Sequence, residues 1–148
     1  MPFPQLTEAD HAAFWRDGYV VKRSFFDAEE IGLLQQAIAQ DEGIRSHVVA
    51  LKDSLGGSTE LALWNHPGDD LFGAFARCER MVGGAEKLLG GEVYHYHSKL
   101  TMKRPRAGGA WDWHQDYGYW YNNGCLYPDM LSVAIAVDRA TQENGCLQ

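Results

Sequence analysis

No apolar run in these 148 residues approaches the length of a membrane span, so a protein built on spanning helices is not expected. The opening Met1-Pro2-Phe3-Pro4-Gln5 has no basic patch followed by an apolar segment, so no signal peptide is expected. Cysteine is scarce. Cys78, Cys125 and Cys146 are odd in number and far apart, and they form neither a zinc pattern nor a disulfide framework. A reducing, cytoplasmic setting suits them. Basic residues are outnumbered, 13 Lys and Arg against 20 Asp and Glu, for a formal charge of −7. That balance argues against nucleic acid as a partner. There is no internal repeat and no low-complexity tract.

What is present is ordinary globular material, 45% hydrophobic and 22% charged. The length suffices for one domain with a core. Thr7 caps a first helix, with Asp10 three residues on, and Gly18 ends it. Tyr19–Arg23 reads as a short strand. Asp27, followed by Glu30, starts a second helix whose Ile31, Leu34 and Ile38 share a face. Residues 41–60 are polar and Gly-bearing and read as a long loop. Leu61–Trp64 is a short strand, Asn65–Asp69 a turn, and helices follow over 70–78 and 81–89, stopped by Gly90-Gly91.

From Glu92 the character changes. Glu92–Lys103 is rich in strand formers. Alternation sets His95, His97, Lys99 and Thr101 on one face. Ala110–Trp120 reads as its partner strand, Met130–Asp138 as a buried strand, and Cys146-Leu147-Gln148 as the start of another. Helices lead and strands follow, which predicts an α+β fold with a mainly antiparallel sheet. A final strand that stops after three residues leaves sheet edges open, and the expectation is a C-terminally truncated chain.

The chemistry concentrates in Trp111-Asp112-Trp113-His114-Gln115-Asp116-Tyr117-Gly118-Tyr119-Trp120-Tyr121. In a strand, His114 and Asp116 point to the same face. They would offer an imidazole nitrogen and a carboxylate oxygen to one point. That is two-thirds of the two-His, one-carboxylate set that leaves positions open on a non-heme ferrous ion. The aromatic neighbours could wall a dry pocket. Spacing alone leaves open the plainer reading, an aromatic core strand with a surface His–Asp contact.

Several stretches together resemble the phytanoyl-CoA dioxygenase family, which includes ectoine hydroxylases. They are Trp113-His114-Gln115-Asp116, Pro128–Asp138, Thr141–Leu147 and the opening Trp15-Arg16-Asp17-Gly18-Tyr19-Val20-Val21. The resemblance implies a double-stranded β-helix, or jelly roll, here partial, with N-terminal helices packed on it. It implies one oxygenase domain over 1–148, incomplete at the C-terminus, with 1–90 mainly helical and 91–148 supplying the first strands. Its cofactors would be Fe(II) and 2-oxoglutarate, and its reactants dioxygen and a small molecule that is hydroxylated. His114 and Asp116 match the family's iron ligands. His97 and Lys99 fall on the strand that contacts 2-oxoglutarate, although ectoine hydroxylase-like members carry Gln where His97 falls. Trp111 takes the place of an aromatic near the co-substrate, and Trp120 that of the Trp facing the substrate pocket. The family's second His ligand and its carboxylate-binding Arg lie downstream of Asn144-Gly145-Cys146-Leu147, so these 148 residues alone are expected to be inactive.

Two other readings compete. A jelly-roll metal protein of another class would complete a site from His95 or His97 with His114 and Asp116. A truncated product would be non-catalytic. Neither a membrane nor nucleic acid enters any of these readings.

Overall fold

A computed structural model describes residues 3–53, 56–111 and 113–147. Asp112 of the aromatic stretch, Leu55 of the polar segment and Gln148 of the final strand lie outside them. The chain is a mixed helix and sheet structure with a small sheet. It divides into two compact units, each drawn from separated stretches. The first comprises the residues up to Gly43 together with Trp64–Ser98; the second comprises Ile44–Leu63 with the residues from Lys99 on.

The first unit is helical. Helix α1 spans Glu8–Asp17 and opens with a complete capping box: Asp10 N–H donates to the Thr7 hydroxyl, and Asp10 accepts from Thr7 N–H. Gly18, at φ +80°, closes it in the left-handed conformation. Helix α2 spans Ala28–Gln40 with a second capping box, from Asp27 and Glu30. Helices α4 (Leu71–Arg77) and α5 (Glu79–Leu89) follow β2, described below, and pack on each other, on α2 and on α1. Leu34 of α2 and Leu88 of α5 are the buried apolar residues of this unit. Phe26 meets Phe75 at 4.8 Å between ring centroids, and Trp15 Nε1 donates to the Leu88 carbonyl at 2.9 Å.

The expected strand at Tyr19–Arg23 is absent. A strand needs a ladder partner for its backbone groups, and this stretch has none among the described residues. Lys22 turns instead to Asp10 at 2.6 Å, and Ser24 takes a positive φ of 53°.

The second unit carries the sheet, in the order β1-β2-β3. Short helix α3 (Glu42–Ser46) leads into β1 (Val49–Lys52), which pairs antiparallel with β2 (Ser58–Trp64). Val49 faces Leu61 and Lys52 faces Ser58. The expected long loop over 41–60 is therefore a helix and a hairpin. Ile44, Ala62 and Thr59 are buried. Strand β3 is Ser98–Met102, shorter than the predicted Glu92–Lys103, and its exposure alternates as expected, with Lys99 and Thr101 outward.

The predicted strand over Ala110–Trp120 is corrected more sharply: its second half is helix α6, Asp116–Asn122. Aromatic residues favour strands by type, but Tyr117 and Tyr121, four apart, meet at 6.2 Å on one helical face. Met130–Asp138 and Cys146-Leu147 are not strands either, because no ladder partner meets them among the described residues. Gln142–Asn144 instead forms a single 3₁₀ turn closed by Gly145. No helix is long and apolar enough to cross a membrane, among the described residues.

Candidate metal centre

The segment that carries the site is held at its upstream end by the hairpin. Ser58 N–H donates to the Ala107 carbonyl and Gly109 N–H to the Ser58 carbonyl, both at 3.0 Å, as a parallel bridge between Ser58 and Gly108. Asp53 adds a clamp. One of its oxygens accepts from Gly57 N–H at 2.6 Å and the other from Ala110 N–H at 2.8 Å. Glycine is required where these backbones meet: a Cβ on Gly57 would lie 2.6 Å from Gly109 Cα. Between Ala110 and the start of α6 at Asp116, the described residues Trp111 and 113–115 belong to no helix or strand.

At that junction His114 Nε2 lies 3.1 Å from Asp116 Oδ1, with both side chains about half exposed. An imidazole nitrogen and a carboxylate oxygen, each about 2.1 Å from one ion and at right angles, are about 3.0 Å apart. The pair therefore fits two neighbouring ligand positions on one metal ion. The groups meet because the chain bends into a helix between them, not because a strand aligns them. Trp111 stands beside the pair, its ring centroid 6.0 Å from that of His114. Lys99 Nζ lies 5.5 Å from the Trp111 ring, a cation over an aromatic face. The second unit thus brings Lys99, Trp111, His114 and Asp116 into one chain of contacts.

Trp120 is half-buried on α6, packed edge-on against Tyr119 at 4.9 Å. Tyr117, next to Asp116, keeps its proton, since desolvation first, and then Cys125, Tyr121 and Asp129, hold the phenol above its ordinary range. His97 belongs to the first unit, half-buried with its ring 5.6 Å from Tyr96. His95 Nε2 shares a hydrogen bond with the Ser98 hydroxyl at 2.8 Å. Among the described residues no group of three or more His, Cys, Asp or Glu could hold a metal ion.

The Asp53 clamp escapes the sequence reading, which treats 41–60 as loop. The hairpin beneath it does have a signal: Val49-Ala50-Leu51 and Leu61-Ala62-Leu63 are apolar runs flanking Gly56-Gly57.

The model of the phytanoyl-CoA dioxygenase family matches residues 14–148, and the chain belongs to that family. Within it, the chain is 35% identical to the L-proline trans-4-hydroxylase of Streptomyces griseoviridis over 137 residues, 91% of this chain and 50% of that protein. It is 29% identical to the ectoine dioxygenase of Stutzerimonas stutzeri over 138 residues, 90% of this chain and 46% of that protein. With the ectoine dioxygenase of Halomonas elongata it shares 27% over 135 residues. The chain spans about half the length of the curated relatives it matches.

Proposed function

We propose that the protein is a non-heme Fe(II)/2-oxoglutarate-dependent dioxygenase that hydroxylates a small molecule. The observation that carries this is the 3.1 Å approach of His114 Nε2 to Asp116 Oδ1, in a chain of the phytanoyl-CoA dioxygenase family. His114 and Asp116 would hold the iron. Its chemistry, when bound, is the reaction of 2-oxoglutarate, dioxygen and a substrate C–H to succinate, carbon dioxide and the C–OH product.

The chain's own residues have separable tasks. His114 and Asp116 would hold the ion through one imidazole and one carboxylate donor. Lys99 offers a positive charge, and Trp111 an apolar face beside it, for the 2-oxoglutarate carboxylate and backbone. For His97 the support is the family resemblance, by which it would also serve the co-substrate. Trp120, with the neighbouring tyrosines, excludes water from the reacting C–H bond. The names of the relatives point to L-proline and ectoine as the kind of substrate, small molecules rather than polymers.

In this reading residues 1–148 form part of one oxygenase domain, and its strands belong to a jelly roll. The remaining His ligand and the Arg that binds the co-substrate lie in the half of the relatives' length that these residues do not span. A cytoplasmic location fits the thiols. The test is His114→Ala in the full-length protein, followed by succinate release from 2-oxoglutarate. Abolished release with an unchanged circular dichroism spectrum is the expected result. Unchanged release would reject the ligand assignment.

A further inference from the structure

We propose that Asp53 is a positioning residue for the His114–Asp116 pair, setting the register of residues 107–111 from which that pair is hung. The proposal rests on the reading of His114 and Asp116 as metal ligands.

Asp53 stands directly after β1, and its carboxylate joins two segments far apart in sequence. Oδ1 accepts from Gly57 N–H at 2.6 Å, inside the hairpin turn. Oδ2 accepts from Ala110 N–H at 2.8 Å, at the last residue before Trp111. Its own N–H donates to the Gly57 carbonyl at 3.0 Å, which fixes the carboxylate relative to β2. Hydrogen bonds to a charged acceptor are short and strong, and two opposed ones leave the 109–110 backbone little room to slide. The Gly57–Gly109 contact and the bond from the Thr59 hydroxyl to the Gly109 carbonyl, 3.3 Å, lock the same stretch from the other side. Trp111 follows at once, with its ring against His114. A shift of one residue at Ala110 would move Trp111 away from Lys99 and take its ring from the side of His114. Asp53 is far from the ligands in sequence, and its bonds to Gly57 and Ala110 N–H act on them through the backbone.

The experiment uses the full-length protein with Mn(II) as the probe ion, in the presence of 2-oxoglutarate. Mn(II) affinity and spectral line shape are read by electron paramagnetic resonance, and amide hydrogen exchange is followed at Ala110 and Trp111. The variants are Asp53→Ala, Asp53→Asn, His114→Ala and, as a control on the same sheet, Glu60→Gln, which removes the charge from the Arg104 contact. Asp53→Ala is expected to weaken Mn(II) binding about tenfold, broaden the line shape and speed exchange at Ala110, while melting stays cooperative. Asp53→Asn, which keeps one acceptor oxygen, should fall between it and the parent. Glu60→Gln should bind as the parent does, and His114→Ala should not bind. Parental Mn(II) affinity in Asp53→Ala, with binding still abolished in His114→Ala, overturns the positioning role and leaves the metal site standing. Parental binding in His114→Ala overturns both. Loss of cooperative melting in both Asp53 variants overturns it too, by making Asp53 a residue of the fold rather than of the site.

Discussion

Arg80 and Glu30 form an ion pair in which the arginine side chain is 8% exposed and the glutamate side chain 23%. The same guanidinium donates to the Phe25 carbonyl and lies 4.3 Å from the Phe26 ring centroid and 4.7 Å from that of Phe3. One side chain thus ties the start of α2, the preceding turn and α5 together. Arg80→Ala would leave Glu30 half-buried without its partner and remove a flat cation from the aromatic faces. The expected loss is about 2–3 kcal/mol by urea unfolding. Arg80→Lys restores the charge but not the planar stack, and should recover only part of it.

The candidate ligand pair separates charge from shape. Asp116→Asn keeps the side chain's size and removes its anion. Mn(II) affinity of the full-length protein should fall by more than about 100-fold. Because Asp116 is the first residue of α6, the helix also loses a favourable charge at its positive end, worth less than about 1 kcal/mol. A large drop in melting temperature without a change in metal affinity would assign Asp116 to the helix alone.

Acid should act on the first unit through Asp10. The Lys22 ammonium, 2.6 Å away, and then the N–H and hydroxyl of Thr7 hold this carboxyl well below the ordinary carboxylate range. A carboxyl depressed in the native state takes up protons more readily in the unfolded chain, so acid favours unfolding. Its contribution is complete above the unfolded value of about 3.9 and disappears as pH falls through the lower native value. Asp10→Asn should therefore melt lower than the parent near neutrality, and the difference should shrink as the pH falls below about 4. Thermal melts of both proteins across that range are the check, and a constant offset would rule the linkage out.

The glycine contact gives a stability prediction for the second unit. Gly57→Ala sets a Cβ 2.6 Å from Gly109 Cα and 2.8 Å from an Asp53 oxygen; Gly109→Ala sets one 3.0 Å from both the Gly57 carbonyl carbon and Asp53. Each should cost about 1–3 kcal/mol by chemical unfolding. Both changes force the same two backbones apart, so the double variant should lose less than the sum of the single losses.

Local signals were the legible ones. The boxes at Thr7/Asp10 and Asp27/Glu30 and the stops at Gly18 and Gly90 are written within four residues, and the structure has each of them. Pairing is not local. Val49–Lys52 is short and followed by polar residues, so nothing in its own composition marks it as a strand until Leu61-Ala62-Leu63 is set against it. The aromatic run misleads for the opposite reason. Its residue types favour strands, but the i, i+4 contact of Tyr117 and Tyr121 and the free space around Gly118 suit a helix. The proximity of His114 and Asp116 is readable from their spacing, though by way of a helix start. The clamp below them is not, because Asp53 and Ala110 are 57 positions apart.

The interleaving of the two units bears on how the chain emerges during synthesis. α1 and α2 find their packing partners in α5 and α4, more than thirty residues after α2 ends. The β1–β2 hairpin is made in between and belongs to the other unit. At about 5–20 residues per second, the apolar faces of the leading helices stay uncovered on the ribosome for several seconds. Throughout that interval the nascent chain presents Phe14 and Leu34 to whatever binds exposed hydrocarbon, and a trigger-factor-like holdase would have its opportunity there rather than after release.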